Sequence, residues 1–293
     1  MKLKIIEKRN IFFAISGLII LIGLIVFFAK GFNKGIDFTG GTMIQIDMKD
    51  EVSVSEVREI TDQLDKDAHI IHAGDLNHEI IIKSKMDLSN DERLEFFSKF
   101  KEKYNLEDKD LIQSTQFGAK IGSEIQRNAV LSIIFATILM LIYITFRFEF
   151  KFGVSAVIAL VHDVLIALSI YLILQLSLDS SFIAAILTIV GYSINDTIVV
   201  FDRIRENKKT AKRKEYAELI NHSISQTVIR SINTSVTTLV TIVCLYLFGV
   251  EAVKNFALPL IVGVVVGTYS SIFIASPVWY LMSNSKKLSH KRA

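Results

Sequence analysis

The run IFFAISGLIILIGLIVFFA, Ile11 to Ala29, is unbroken by any charge. A helix needs about 20 such residues, at about 1.5 Å rise each, to cross the hydrocarbon core of a bilayer. Basic residues precede the run, as in a signal peptide, but it exceeds the usual apolar core of one and no small-x-small cleavage site follows, so it reads as a retained anchor. Five more stretches meet the same criterion: Ala129 to Phe146, Phe152 to Leu176, Phe182 to Phe201, Ile232 to Val250 and Phe256 to Leu281. The whole chain agrees with its parts, since 51% of its 293 residues are hydrophobic and only two are proline, and its mean hydropathy is +0.43. Such a composition excludes an ordinary soluble domain. The expected fold is a polytopic α-helical membrane protein of six transmembrane helices, with one extracytoplasmic α+β domain inserted after the first. The expected organisation is a cytoplasmic N-terminus and first helix over 1–29, the inserted domain with its lead-in segment over 30–128, helices two to six over 129–281, and a cytoplasmic tail over 282–293.

Basic residues in short connections mark the cytoplasmic side. Lys2, Lys4, Lys8 and Arg9 precede the first span, Arg147 and Lys151 join the second to the third, and Arg203, Arg205, Lys208, Lys209, Lys212, Arg213 and Lys214 follow the fourth. Lys286, Lys287, Lys291 and Arg292 close the chain, whereas Ser177 to Ser181 and Glu251 to Asn255 together contain a single lysine. Both termini are therefore expected in the cytoplasm and the insert outside it. The net charge of +3 reflects this sidedness and gives no reason to expect nucleic-acid binding. Cys244, the only cysteine, falls in the fifth span, so the exported domain must be stable without a disulfide.

Within the insert the hydrophobic period alternates between strand and helix. Thr42 to Met48 alternates as a strand, and Ser53 with Glu56 opens a helix carrying Val54, Val57, Ile60 and Leu64. Ala68 to His72 and Glu79 to Lys83 read as strands around the turn residues Gly74, Asp75 and Asn77. Ser89 with Glu92 opens a second helix with Leu94, Phe97 and Phe100 on one face, and Asp110 to Gln116 supplies a last strand. The order βαββαβ is that of a ferredoxin-like sandwich. His72 and His78 are isolated and read as surface residues, not metal ligands.

Chemistry is sought in the membrane, where an ionisable side chain costs about 2.5 to 3.5 kcal/mol at a helix centre. His162, Asp163 and Asp196 are the three such residues inside the spans. Asp196 lies in GYSINDTIVVFDRIREN, Gly191 to Asn207, beside Tyr192, Ser193, Asn195 and Thr197. Tyr192, Asp196, Val199 and Arg203 share a helical face, which is expected to look into the bundle. The fifth span opens with QTVIRSINTSVTTL, Gln226 to Leu239, bringing Arg230, Asn233, Thr234, Ser235, Thr237 and Thr238. Counted from the cytoplasmic ends, Asp196 is roughly 8 Å deep, within reach of a flexible arginine, and Asp163 roughly 16 Å. Desolvation and an arginine would pull the titration of Asp196 in opposite directions, as suits a group that loads and releases a proton. The bland alternatives are a static ion pair at Asp196, a packed neutral His162, hydroxyls that merely glue helices, and kinks at Pro259 and Pro277.

GIDFTGG at Gly35 to Gly41, VHD at Val161 to Asp163, SINDTIVVFDRIREN and RSINTSVTTL occur in one order along nearly the whole chain. Together they resemble the motifs of the SecD/SecF family of protein translocase subunits, in the resistance-nodulation-division superfamily, and of its SecF half only. The resemblance implies a separate SecD partner, work beside the SecYEG channel and SecA, an unfolded preprotein as substrate, and the bacterial inner membrane as location. It also implies use of the proton motive force to complete translocation after the ATP-driven step, with no cofactor and no enzyme active site. By position, Asp196 and Arg230 correspond to the proton-coupling pair and Asp163 to a further motif position of less defined role. Tyr192, Ser193, Asn195, Thr197, Asn233 and Thr234 would support them. Read from glycine backbone freedom, the segment of Gly35, Asp37, Gly40 and Gly41 is either a hinge between membrane and exported domain or a glycine-rich loop leading into the first strand. None of the 14 glycines is followed by lysine, so no phosphate-binding loop for ATP is present. The rivals are a scaffold subunit that moves no protons, a small-molecule efflux pump of the same superfamily, and an intramembrane aspartyl protease built on Asp163 and Asp196. The protease would want a glycine where Asn195 stands.

Overall fold

The computed structural model describes residues 4–74, 78–209 and 216–284. Lys2, the turn residues Asp75 and Asn77, the basic residues Lys212, Arg213 and Lys214, and the basic tail from Lys286 to Arg292 lie outside the described residues. Six helical stretches are long and apolar enough to span a membrane. They are α1 (Arg9–Lys30), α5 (Ala119–Arg147), α6 (Phe150–Ile173), α7 (Ser180–Lys208), α8 (Tyr216–Phe248) and the pair α9 (Glu251–Ser270) and α10 (Ser276–Asn284). Each overlaps one of the expected spans, with α6 ending before Leu174 to Leu176 and α8 before Gly249 and Val250, and α5, α7 and α8 extend well beyond the apolar windows at one end or the other. Polar residues such as those at Gln226 to Ser231 continue a helix once it has left the lipid, so hydropathy marks the membrane and not the helix end.

The small helix α2 (Ile36–Thr39) leads into the inserted domain: β1 (Gly41–Asp47), α3 (Val54–Thr61), β2 (His69–Ala73), β3 (Glu79–Ser84), α4 (Asn90–Tyr104) and β4 (Leu111–Phe117). The sheet order is β2-β3-β1-β4, with every pairing antiparallel. This is the split arrangement that βαββαβ predicts. Ser53 caps α3 by accepting from the Glu56 amide. At α4 the box is reciprocal: Ser89 accepts from the Glu92 amide, and the Glu92 carboxylate from the Ser89 amide at 2.8 Å. Ile44, Ile46, Ile70, Ile80 and Ile82 cover one sheet face and pack on Val57, Ile60, Phe96, Phe97 and Phe100. Leu94 departs from expectation. It is 50% exposed, and Phe96 takes the buried place, because the helix turns its inner face by about 100° per residue and only one of the two fits.

In the membrane α7 packs against α6, α8 and α9, while α6 also packs against α1 and α5. At the end of the bundle that holds the N-terminal segment, Phe152 stacks on Trp279 and tilts against Phe201, with Ile5 and Ile6 of that segment in the same core. Asn221 of α8 fixes that segment by accepting from the amides of Ile5 and Ile6. Pro259 lies inside continuous α9, so no break forms there. Near Pro277 the chain does depart from α geometry, in a π turn over Ser271–Ala275. Proline has no amide to donate and crowds the preceding turn, and a wider turn relieves both.

Candidate functional site

Asp196 lies on α7 with its side chain turned to α8, and 7% of the residue is exposed. Its face is polar for the length of the contact. The Tyr192 hydroxyl donates to Ser235 at 3.4 Å, Ser231 stands opposite Asp196, the Arg203 Nε donates to Gln226 at 2.7 Å, and Asn207 donates to Ser223 at 2.8 Å. These pairs descend one helix while ascending the other, so α7 and α8 are antiparallel along a polar seam. The face expected from spacing is therefore the face that meets α8. Oδ2 of Asp196 and Oγ of Ser231 are both buried and have no hydrogen-bond partner.

Arg230 is exposed and, among the described residues, forms no ion pair. It instead lines a cavity of about 280 Å³ with Tyr143, Arg147, Phe148 and Asp202, toward the C-terminal ends of α5 and α7. Asp202 itself pairs with Arg205 at 2.9 Å. Asn195, Asn233 and Thr234 are exposed as well, and the Thr234 hydroxyl donates to the Arg230 carbonyl of its own helix.

Asp163 sits in a second polar cluster, deeper in the bundle and 1% exposed. Its Oδ2 accepts from Ser193 of α7 at 2.6 Å and from Ser270 of α9 at 2.8 Å, and its Oδ1 meets His162 Nδ1 at 2.9 Å. Thr197 holds the next layer, 2.8 Å from Ser271 and donating to the Ser193 carbonyl. Ser193 and Thr197 thus join α7 to α6 and α9, while Tyr192 and Asp196 join it to α8. The two aspartates have different partners and do not form a shared dyad.

GIDFTGG is held more firmly than its glycines suggest. The Gly35 amide donates to the Leu178 carbonyl at 2.7 Å and the Leu178 amide to the Asn33 carbonyl at 2.8 Å, a small parallel bridge to the α6–α7 loop. Asp37 accepts from the Ser180 amide at 2.9 Å, and Asp179 from the Phe182 amide at 3.0 Å, so two carboxylates cap the N-terminus of α7. Burial raises the Asp179 carboxyl above the usual carboxylate range, opposed by the Phe182 amide and by Lys83. Gly40 and Gly41 carry φ of 80° and 141°, angles that side chains resist, where the chain turns into β1.

Sequence reading missed Ser16, Ser231, Tyr269, Ser270 and Ser271. A usable signal was present for the last three, which are consecutive polar residues after Thr268 in an otherwise aliphatic span. Ser16 is a lone hydroxyl in α1 and carried none.

Six helices able to span a membrane, a four-stranded domain set between the first two, and a polar seam in the bundle define a polytopic α-helical membrane protein with an inserted α+β domain. Residues 97–285 match the family described as "Protein export membrane protein SecD/SecF, C-terminal", and residues 25–52 match the "SecD/SecF GG Motif". The protein translocase subunit SecF of Sebaldella termitidis is 39% identical over 98% of this chain and 94% of its own. That of Haemophilus influenzae is 37% identical over 94% of this chain and 84% of its own. The SecDF subunit of Thermus thermophilus is 41% identical, covering 89% of this chain but 36% of the longer one. The crystal structure of SecDF from that organism superimposes on all of this chain with a TM-score of 0.80 at 38% identity, and this chain spans 39% of it. The chain belongs to the SecF family of protein translocase subunits.

Proposed function

We propose that this chain works with a SecD partner in the bacterial inner membrane, both termini cytoplasmic, and uses the proton motive force to complete preprotein translocation after the ATP-driven step. The partner follows from the SecDF relative, in which one chain carries more than this one supplies. The SecYEG channel, SecA and an unfolded preprotein follow from the role of a translocase subunit. One observation carries the proton coupling: Asp196 is a buried carboxyl in a spanning helix, with one oxygen unpartnered. In apolar surroundings a charged carboxylate is poorly tolerated and a protonated one is stable, so occupancy by a proton changes how α7 packs on α8. The electrical part of the gradient supplies about 2.3 kcal/mol per charge per 100 mV.

Arg230 acts in this reading as the cation that a charged Asp196 attracts in another state of the cycle, since in the present arrangement the two are not paired. Asp163 takes part through Ser193. Helix α7 transmits the change, because its cytoplasmic half carries Asp196 and its other end is capped by Asp37 of the segment that leads into the exported domain. Asp196→Asn, nearly isosteric and unable to titrate, tests the reading in inverted vesicles containing SecD. Export that keeps its basal rate but loses stimulation by a proton gradient supports it. Unchanged stimulation assigns Asp196 to packing and leaves a scaffold subunit.

A further inference from the structure

The hydroxyls around His162 fix where its protons are. The Phe12 carbonyl can only accept, so the Tyr269 hydroxyl, 2.9 Å away, donates to it. A phenol has one hydrogen, so Tyr269 accepts from Ser16 at 3.3 Å. Ser16 likewise has one hydrogen, so at 2.9 Å it accepts from His162 Nε2, which therefore carries a proton. On the other side of the ring, Nδ1 lies 2.9 Å from Asp163 Oδ1. A bare nitrogen facing a carboxylate oxygen at that distance would set two lone pairs against each other. One proton must lie between them. The remaining carboxylate oxygen, Oδ2, is already engaged by Ser193 and Ser270.

We infer that His162 and Asp163 form a second proton-binding site of the bundle, separate from Asp196, which takes up one proton from water between Nδ1 and Oδ1 and returns it. Whether that proton is written on the ring or on the carboxyl, the pair is neutral when it is bound and carries one negative charge when it is lost. The groups facing the pair are Ser16 of α1, Ser193 of α7 with Asp196 three residues further on, and Tyr269 and Ser270 of α9. No other charged side chain among the described residues contacts it. Loss of the proton makes the Nδ1 to Oδ1 contact repulsive, and the strain falls on helices tied to both the exported domain, through α1, and the seam, through Ser193. The ring orientation held by Ser16 and Tyr269 makes these two positioning residues.

The existence of the site is independent of the export reading; only its use in the cycle rests on it. The test uses the full chain with SecD in nanodiscs, labelled with ¹⁵N-histidine. The His162 signals are assigned by their loss in His162→Gln, with retention of SecD confirming assembly. Between about pH 5 and 8, where histidines ordinarily change charge, Nε2 should stay protonated. One proton should leave the pair, seen either at Nδ1 or as an infrared carboxylic-acid band absent from Asp163→Asn. A bare Nε2, or a pair that neither gains nor loses a proton over that range, overturns the inference. Asp196→Asn should leave this titration in place, so failure of proton coupling at Asp196 and failure of this site are read separately. In vesicles, His162→Gln should alter the pH profile of gradient-stimulated export, which a packing role would not do.

Discussion

A carboxylate inside a helix bundle is settled by what donates to it. Asp163 has three hydrogen-bond partners and Asp196 has a buried oxygen with none, so equivalent substitutions around the two should differ. Ser193→Ala removes a donor from Asp163 and should lower stability by about 1 to 3 kcal/mol. Ser231→Ala removes a hydroxyl that has no partner and should change it little. Thermal unfolding of the purified protein in one detergent distinguishes them; equal losses would mean that Ser231 is a hidden partner of Asp196. Outside the membrane, Asp110 accepts from the Glu107 amide at 2.7 Å and pairs with Lys49 at 2.9 Å, which together hold its carboxyl below the usual range. A lowered folded value means that its contribution is present above the ordinary carboxylate value and is lost as pH falls through the folded one. Wild type should therefore lose resistance of the exported domain to pepsin as the pH drops below about 4, and Asp110→Asn should show a shallower loss. Asp196 could be found from sequence because a charge in an apolar run is costly and needs a reason, whether proton coupling or a static ion pair. The separation of Arg230 from it could not, because helical spacing fixes a face but not the direction a long side chain takes from it.

Helix α7 is the element on which the parts converge, with Asp37 at its outer end, Ser193 and Thr197 toward α6 and α9, and Asp196 toward α8. The face of Tyr192 and Asp196 was readable from the 3.6-residue period; the same period puts Ser193 and Thr197 on another face, which was not read as one. Its outer cap was not readable, because Asp37 and Ser180 are far apart in sequence and spacing says nothing about such pairs. GIDFTGG showed its glycines but not the bridge to Leu178 or the single turn α2. Where these glycines are needed can be measured. At Gly41, with φ of 141°, a Cβ would run into the Ser84 carbonyl across the first β1–β3 pair. Gly41→Ala should cost about 1 to 3 kcal/mol from backbone strain, seen as earlier trypsin cleavage of the exported domain in the full chain. Gly17→Ala in α1, where a Cβ meets nothing within 4 Å, should be neutral or stabilising by up to about 1 kcal/mol. Equal protease resistance of the two variants would show that the turn into β1 relaxes without loss.

At the scale of the molecule, the bundle leaves one helix in surroundings that do not suit it. The apolar windows of α1, α5 and α8 are all little buried, 11%, 11% and 17% against 56% in α6, but in α8 the outward residues include Arg230, Asn233, Thr234, Thr237 and Thr241. The threonines are satisfied where they stand: Thr234 donates to the Arg230 carbonyl, Thr237 to that of Thr234 and Thr241 to that of Thr237. They accept lipid or protein equally well. An exposed asparagine amide in a span has no such recourse within its own helix turn, and in hydrocarbon it would favour a partner helix. Docking of a SecD partner on this face is tested by residues that differ in what they predict. Asn233→Leu should weaken association with SecD by about 0.6 to 2 kcal/mol, the range of interhelical hydrogen bonds in membranes, or about threefold to thirtyfold in the dissociation constant. Thr241→Val, which loses only a bond to its own helix, should leave the constant unchanged. Energy transfer between labelled subunits diluted in lipid gives both constants. If Asn233→Leu binds SecD as tightly as wild type, this face is turned to lipid and the partner lies against the other outer helices, α1 and α5.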